Sequence, residues 1–207
     1  MPAPLANHRR DVEIETVVNF GSVAEHQGCF ESLLAEITNS PQRRLLIVPG
    51  GGPFADTVRE VDRQLGLSNE AAHWMAVLAM DQVAYLIVSK LPGSIVVTDR
   101  HEIAAAFDGR RIPVLAPFRW LSRVDPLPHT WAVTSDTIAA WVSGQLGARR
   151  LLLVKPPGAS GPDLVDEYFA RSVPTGIEPL ILPADRLDAL RLALSAPYRP
   201  NPAVLQS

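Results

Sequence analysis

LLIVPGGGPFADTVREVDRQL, residues 45–65, reads as one complete strand–turn–helix unit. Leu45 to Val48 is a short, fully apolar run between Arg44 and Pro49, the pattern of a strand buried on both faces. Pro49-Gly50-Gly51-Gly52-Pro53 interrupts it with the residues of a tight turn. Phe54, Val58, Val61 and Leu65 then recur at helical spacing, which predicts an amphipathic helix over 54–66.

Units of the same kind extend in both directions. Upstream, the β-branched run Ile14 to Val18 predicts a strand, followed by a helix over 29–37. Downstream, 70–90 is apolar on nearly all sides and predicts a central, buried helix. Ser94 to Thr98 predicts a strand, and Asp99 an N-cap with Glu102 in capping-box position. Ile112 to Ala116 predicts another strand, with a proline-bearing loop over 117–128. A helix over 135–146 and the strand Leu151 to Val154 follow. The loop 156–162 leads into a helix over 163–170, then a last strand, Leu180 to Leu182, and a last helix, 185–194. Short apolar strands alternating with helices indicate an α/β fold with a mostly parallel sheet covered on both faces. No internal repeat and no linker divides the 207 residues, so a single domain is expected.

Composition excludes several classes. The net charge is −3 and the arginines are scattered, which argues against a nucleic-acid binder. Cys29 is the single cysteine, so neither a disulfide framework nor a cysteine-rich zinc site is expected. The first ten residues lack the apolar core of a signal peptide. The richest apolar stretch, Trp74 to Val88, is broken by Asp81 and Gln82, short of the roughly 18 uninterrupted residues of a membrane span. A cytoplasmic protein with no membrane association is the expectation. Of 19 basic residues, 17 are arginine and two are lysine, Lys90 and Lys155.

In parallel sheets ligands bind beyond the carboxyl ends of the strands, and three such ends stand out. Gly50, Gly51 and Gly52 before a helix suit either an anion site or a plain tight turn. No Gly-Lys-Ser/Thr follows, so it is not a Walker A loop. Asp136, entering the helix 135–146, reads as a cap, a dipole partner or a site residue. Lys155, just past an apolar strand, reads as a phosphate clamp or a solvated strand end. His73 and Trp74 fall on the buried helix, where a histidine is ordinarily a core residue, and His129 and Trp131 also stand out. No His/Asp/Glu spacing matches a zinc site, so no metal ligands are assigned. No G-x-S-x-G elbow occurs and Cys29 has no evident histidine partner. Asp81, inside the apolar helix, needs a hydrogen-bonding partner if buried.

Taken in order, the strand 14–18 with Gly21 and Ser22, IVPGGGPFAD (47–56), TSDTIAAWVSGQLGA (134–148) and LLLVK (151–155) resemble the amino acid kinase superfamily, which includes acetylglutamate, aspartate and uridylate kinases. AHWMAVLAMD (72–81) and LPHTWAVTSD (127–136) are similar to its aminomethyl-furanmethanol phosphate kinase branch, of methanofuran biosynthesis. Molybdenum storage proteins are more distant relatives.

The resemblance spans about 12–195 and implies a three-layer αβα sandwich. It implies a flexible stretch over 1–11, one domain over 12–196 and a tail over 197–207. Within the domain, an acceptor lobe would cover about 12–125 and a nucleotide lobe about 126–196. ATP and Mg²⁺ are the implied cofactors, and a small-molecule phosphate acceptor the implied substrate. Gly50, Gly51 and Gly52, with Gly21, Ser22 and Ser135, would bind phosphate, and Arg59 would face the acceptor. Asp136 would orient the catalytic lysines, and Lys155, Pro156 and Gly158 would meet the nucleotide. A homo-oligomer is implied as well.

One departure stands out. The family's first strand ends Lys-x-Gly-Gly-Ser, whereas this chain reads Val18-Asn19-Phe20-Gly21-Ser22, with Asn19 at the lysine position. Losing one preorganised donor typically costs roughly 10²–10³ in rate. An active small-molecule kinase and a catalytically impaired homologue, acting as a binding or regulatory subunit beside an active paralogue, therefore both follow from the sequence. An oxyanion-storage role has no feature of its own.

Overall fold

The computed structural model describes residues 14–40, 44–161, 164–177 and 179–195. The stretches expected to be a flexible N-terminus and a tail lie outside them.

Six strands form one sheet: β1 (Thr16–Phe20), β2 (Leu45–Pro49), β3 (Ser94–Val97), β4 (Ile112–Leu115), β5 (Arg150–Lys155) and β6 (Leu180–Pro183). All pairings are parallel, in the order β3-β4-β2-β1-β5-β6. The helices are α1 (Gln27–Asn39), α2 (Gly52–Leu65), α3 (Asn69–Lys90), α4 (Arg100–Asp108), α5 (Phe118–Val124), α6 (Ser135–Leu146), α7 (Phe169–Ser172) and α8 (Leu187–Ser195), with a 3-10 turn over Ser22–Glu25.

Alternation along the central strands divides the core in two. Val18 and Phe20 of β1, Ile47 of β2, and Leu152 and Val154 of β5 point to one face and pack under α1, α8 and the second half of α3. Val17, Leu46, Val48, Leu151 and Leu153 point to the other face and pack under α4, α5, α6 and α7. Helix α3 contributes to both cores, Val77 and Met80 to the second and Val83, Ala84 and Ile87 to the first. By length and composition alone α3 could cross a membrane. Here Val77, Met80, Val83, Ala84 and Ile87 are buried in the two cores of the protein.

The structure departs from the expected elements at four places, each with a local cause. β1 starts two residues later and ends at Phe20, because Asn19 keeps its place in the ladder opposite Val48 and Leu153. That puts Asn19 inside a strand. Helix α5 occupies what was expected to be loop, held at its start by the Asp81 carboxylate, which accepts from Phe118 N at 3.1 Å. The helix expected over 163–170 is only the short α7; Pro162 and Asp163 lie outside the described residues. Asp99 caps α4 through His101 N and Glu102 N, but Glu102 reaches back to Thr98 N and Oγ1 rather than to Asp99.

The chain crosses from β1 to β2 on one side of β1 and from β5 to β6 on the other. The crevice beyond the carboxyl ends of β1 and β5 is thus the switch point at which parallel sheets bind ligands.

Candidate active site

At that switch point lies a cavity of about 410 Å³. Backbone fit builds its floor. Gly50 N donates to Phe20 O at 2.5 Å, drawing the β2 turn onto the end of β1. A Cβ on Gly50 would stand 2.7 Å from Gly21 O, so only glycine fits. Gly52 opens α2 at φ 50°, a left-handed value that again favours glycine. No side chain caps α2, so the donors and positive dipole end of its first turn face the cavity unengaged by a cap.

Two buried ionisable side chains meet on the second face of the sheet. Lys155 follows Leu151 and Leu153 in the alternation, so it points toward α6. Its Nζ donates to Asp136 Oδ2 at 2.5 Å, and both side chains are close to fully buried. Burial pushes the Asp136 carboxyl above its usual value, against the lowering effect of Lys155. Asp136 Oδ1 is buried without a hydrogen-bond partner. Asn19 shares this face one strand away and is wholly buried. Its Nδ2 donates to Val48 O at 3.1 Å and Ser135 O at 3.4 Å, bracing β1 against β2 and the start of α6, while Oδ1 is unpartnered.

Asp166 was not anticipated from sequence, yet it organises the start of α6. Its carboxylate accepts from Thr134 N and Oγ1, Thr137 N and Oγ1, and Tyr168 N. It ties the loop after β5 to the helix that carries Asp136. An aspartate in a proline- and glycine-bearing loop gave no sequence signal for that role.

At the opposite end, Arg59 stands over the Trp131 ring at 5.0 Å and pairs with Asp56 at 2.5 Å. Trp131 is fixed by its indole N–H, which donates to Asp62 at 2.7 Å. His73 also lines the cavity, although the sequence marked it only as a core residue. It is buried, stacked on His129 at 4.5 Å, with Trp74 edge-on at 4.7 Å. Burial, helped by His129, lowers its pKa to about 4.

The structure thus gathers Gly21, Ser22, Gly50, Gly51, Gly52 and Arg59 around the cavity, with Ser135, Asp136, Lys155 and Pro156. Asn19 lies beneath that lining, and Gly158 is exposed outside it. Among the described residues no group of three or more His, Cys, Asp or Glu side chains is placed to hold a metal ion.

The model of the amino acid kinase family matches residues 16–156. The chain belongs to the amino acid kinase family. Among curated proteins it is similar to "[5-(aminomethyl)furan-3-yl]methyl phosphate kinase" of Methanocaldococcus jannaschii, with 30% identity over 112 residues. That match covers 54% of this chain and 51% of the relative, so the chain spans about half the length of the curated relative. Among solved structures, uridylate kinase from Archaeoglobus fulgidus shares the fold, with a TM-score of 0.64 at 15% identity. That likeness covers 87% of this chain and 95% of the other. UMP kinase from Ureaplasma parvum gives 0.53 at 15% identity, over 74% and 71% of the two chains. As in its family relatives, the sheet is α/β, here with all six strands parallel. The family match takes in the first strand, the glycine turn, Asp136 and Lys155.

Proposed function

We propose that this chain is an ATP-dependent kinase that transfers the γ-phosphoryl group to a small phosphate monoester of the aminomethylfuran type. The carrying observation is the buried Lys155–Asp136 pair at the switch point, within the same cavity as the uncapped start of α2. Phosphoryl transfer needs positioning and charge stabilisation rather than covalent catalysis, and these groups supply both. Lys155 is held by Asp136 as a fixed cation for the phosphates. The glycine turn brings backbone donors to the transferring group, and Arg59 offers a guanidinium to the acceptor's own phosphate. The lining fits a nucleotide: the uncapped helix start and the buried lysine supply donors for phosphate oxygens, and the orphaned Asp136 oxygen is an acceptor left for a cation that accompanies them. Mg²⁺, carried on the nucleotide, would neutralise phosphate charge. The amino acid kinase membership and the aminomethylfuran phosphate kinase relative support the reading. A homo-oligomer in the cytoplasm is part of the proposal.

The test is ADP release from ATP with [5-(aminomethyl)furan-3-yl]methyl phosphate, preceded by calorimetric titration with MgATP. Lys155→Ala is expected to lower turnover by about two orders of magnitude or more. Unchanged turnover in that variant would sink the role of Lys155, and no nucleotide binding at millimolar concentration would sink the kinase reading.

Asn19 favours a second reading, an impaired homologue that binds ligand beside an active paralogue. Its amide is committed to two backbone carbonyls, and it brings no charge. This reading expects nucleotide binding with no turnover in the isolated chain, and a gain of turnover in Asn19→Lys.

A further inference from the structure

The α3 end of the cavity differs in chemistry from the Lys155 end. Among the described residues, two carboxylates line the cavity, Asp136 and Asp166. Asp136 is paired with Lys155, and Asp166 is taken up by five donors on α6 and its own loop. Neither serves the far end.

There the polar side chains are Arg59, Asn69, Thr130 and His73. Arg59 is a cation already seated on Trp131. Asn69 is exposed, and Thr130 Oγ1 accepts from Ala132 N at 3.2 Å. His73 is the buried one, 8% exposed, and among the described residues its ring makes ring contacts with His129 and Trp74 but no hydrogen bond. Its nitrogens are not among the fully enclosed unpartnered atoms, so a ring in the cavity lining with no protein hydrogen bond is open to a ligand or water there.

Its orientation is fixed from outside the cavity. The ring stacks on His129 at an interplanar angle of 18°, and Trp74 closes edge-on at 75°. His129 is held by Asp125 at 2.8 Å, and Trp74 packs on Phe118. So the imidazole is preorganised by α3, by α5 and by the loop after it, and it remains part of the cavity lining.

Resting on the acceptor reading above, we infer that His73 is the specificity residue of the acceptor site: its imidazole accepts a hydrogen bond from an ammonium group on the acceptor's ring. The acceptor is then a small flat phosphate that carries an amine, held at its phosphate by the glycine turn and Arg59 and at its amine by His73. An imidazole lone pair is a strong neutral acceptor, and it attracts an ammonium without placing a carboxylate beside the phosphates.

The experiment measures binding, so a slow catalyst still answers it. The full chain is titrated calorimetrically with [5-(aminomethyl)furan-3-yl]methyl phosphate and with the counterpart bearing a methyl group in place of the aminomethyl. Wild type is expected to prefer the amine by roughly tenfold or more, the range of a hydrogen bond to a charged group. His73→Phe keeps the ring stack and is expected to bind the two ligands alike, within about twofold. His73→Gln, which retains an acceptor atom, is expected to recover part of the preference. MgADP affinity is expected to be unchanged in both variants. A His73→Phe variant that keeps the wild-type preference, or a wild type with no preference, overturns the inference. Loss of MgADP binding in both variants makes His73 structural and overturns it too. A wild type that binds neither furan phosphate overturns the acceptor reading itself, and the inference with it.

Discussion

At the scale of single residues, two positions connect sequence to site in different ways. Gly50 is fixed by backbone: its Cα sits where a Cβ would enter the Gly21 and Phe20 carbonyls. Because those are backbone atoms of Phe20 and Gly21, where β1 ends, the clash cannot be relieved by a side-chain rotation. Gly50→Ala is expected to lower stability by about 1–3 kcal/mol, the range for overpacking a close-packed site, read as a shift in the urea midpoint at constant slope. Asn19 is fixed by hydrogen bonds. It lies on the same face of the sheet as Lys155, under the start of α6, and each of its amide donors has a carbonyl. Asn19→Ala leaves Val48 O and Ser135 O without those donors and is expected to cost about 1–3 kcal/mol in the same measurement. The resemblance read Asn19 as a lost catalytic lysine. The structure adds a reason for the asparagine to be there, a brace that joins three elements.

At the scale of elements, the sheet was legible and the loops were not. Leu45–Pro49, Ser94–Val97 and Ser135–Leu146 lie within a residue of expectation, because apolar runs and helical periodicity report burial directly. Helix α5 escaped because Pro117 and two further prolines mark the segment as loop, whereas its start is stabilised by Asp81 from α3, distant in sequence. Asp166 escaped for the same reason: its five donors come from residues 134–137 and from Tyr168. The glycine turn, Asp136 and Lys155 were legible as candidates because they sit at strand ends, but their meeting required the β1–β5 register. His73 reads as a core residue from its place on an apolar helix, and the structure both buries it and puts it in the cavity lining. Asp166 is what ties the loop after β5 to α6, so Asp166→Ala should free that loop more than it unfolds the sheet. Faster amide hydrogen exchange at Thr137 and Tyr168, with β1 and β2 protection kept, is the expected outcome. Uniform loss of protection would show instead that Asp166 supports the whole fold.

At the scale of the whole molecule, a buried histidine and a half-buried aspartate make opposite demands on acid stability. His73 has a folded pKa of about 4, below its usual 6.5, because burial disfavours its charged form. Between those values the unfolded chain binds the extra proton, so the His73 contribution grows as pH rises from about 4 to 6.5 and is lost as pH falls through that window. Asp81 is pushed up to about 6 from 3.8, also by burial, with Phe118 N pulling it partly back. Between 3.8 and 6 the folded chain holds the extra proton, so the Asp81 contribution shrinks as pH rises. Asp136 is shifted up as well and acts in the same sense as Asp81. The windows overlap, so the wild-type profile between about pH 4 and 6 conceals two slopes of opposite sign. Single substitutions separate them. Asp81→Asn can still accept from Phe118 N through its amide oxygen, so its stability relative to wild type is expected to climb from pH 4 to pH 6. His73→Phe keeps the stack on His129, and its stability relative to wild type is expected to fall over the same range. Urea midpoints of the three proteins at half-unit pH steps read both differences. Parallel profiles for all three would mean that neither group titrates differently in the folded and unfolded chains, and the burial argument for both would fail together.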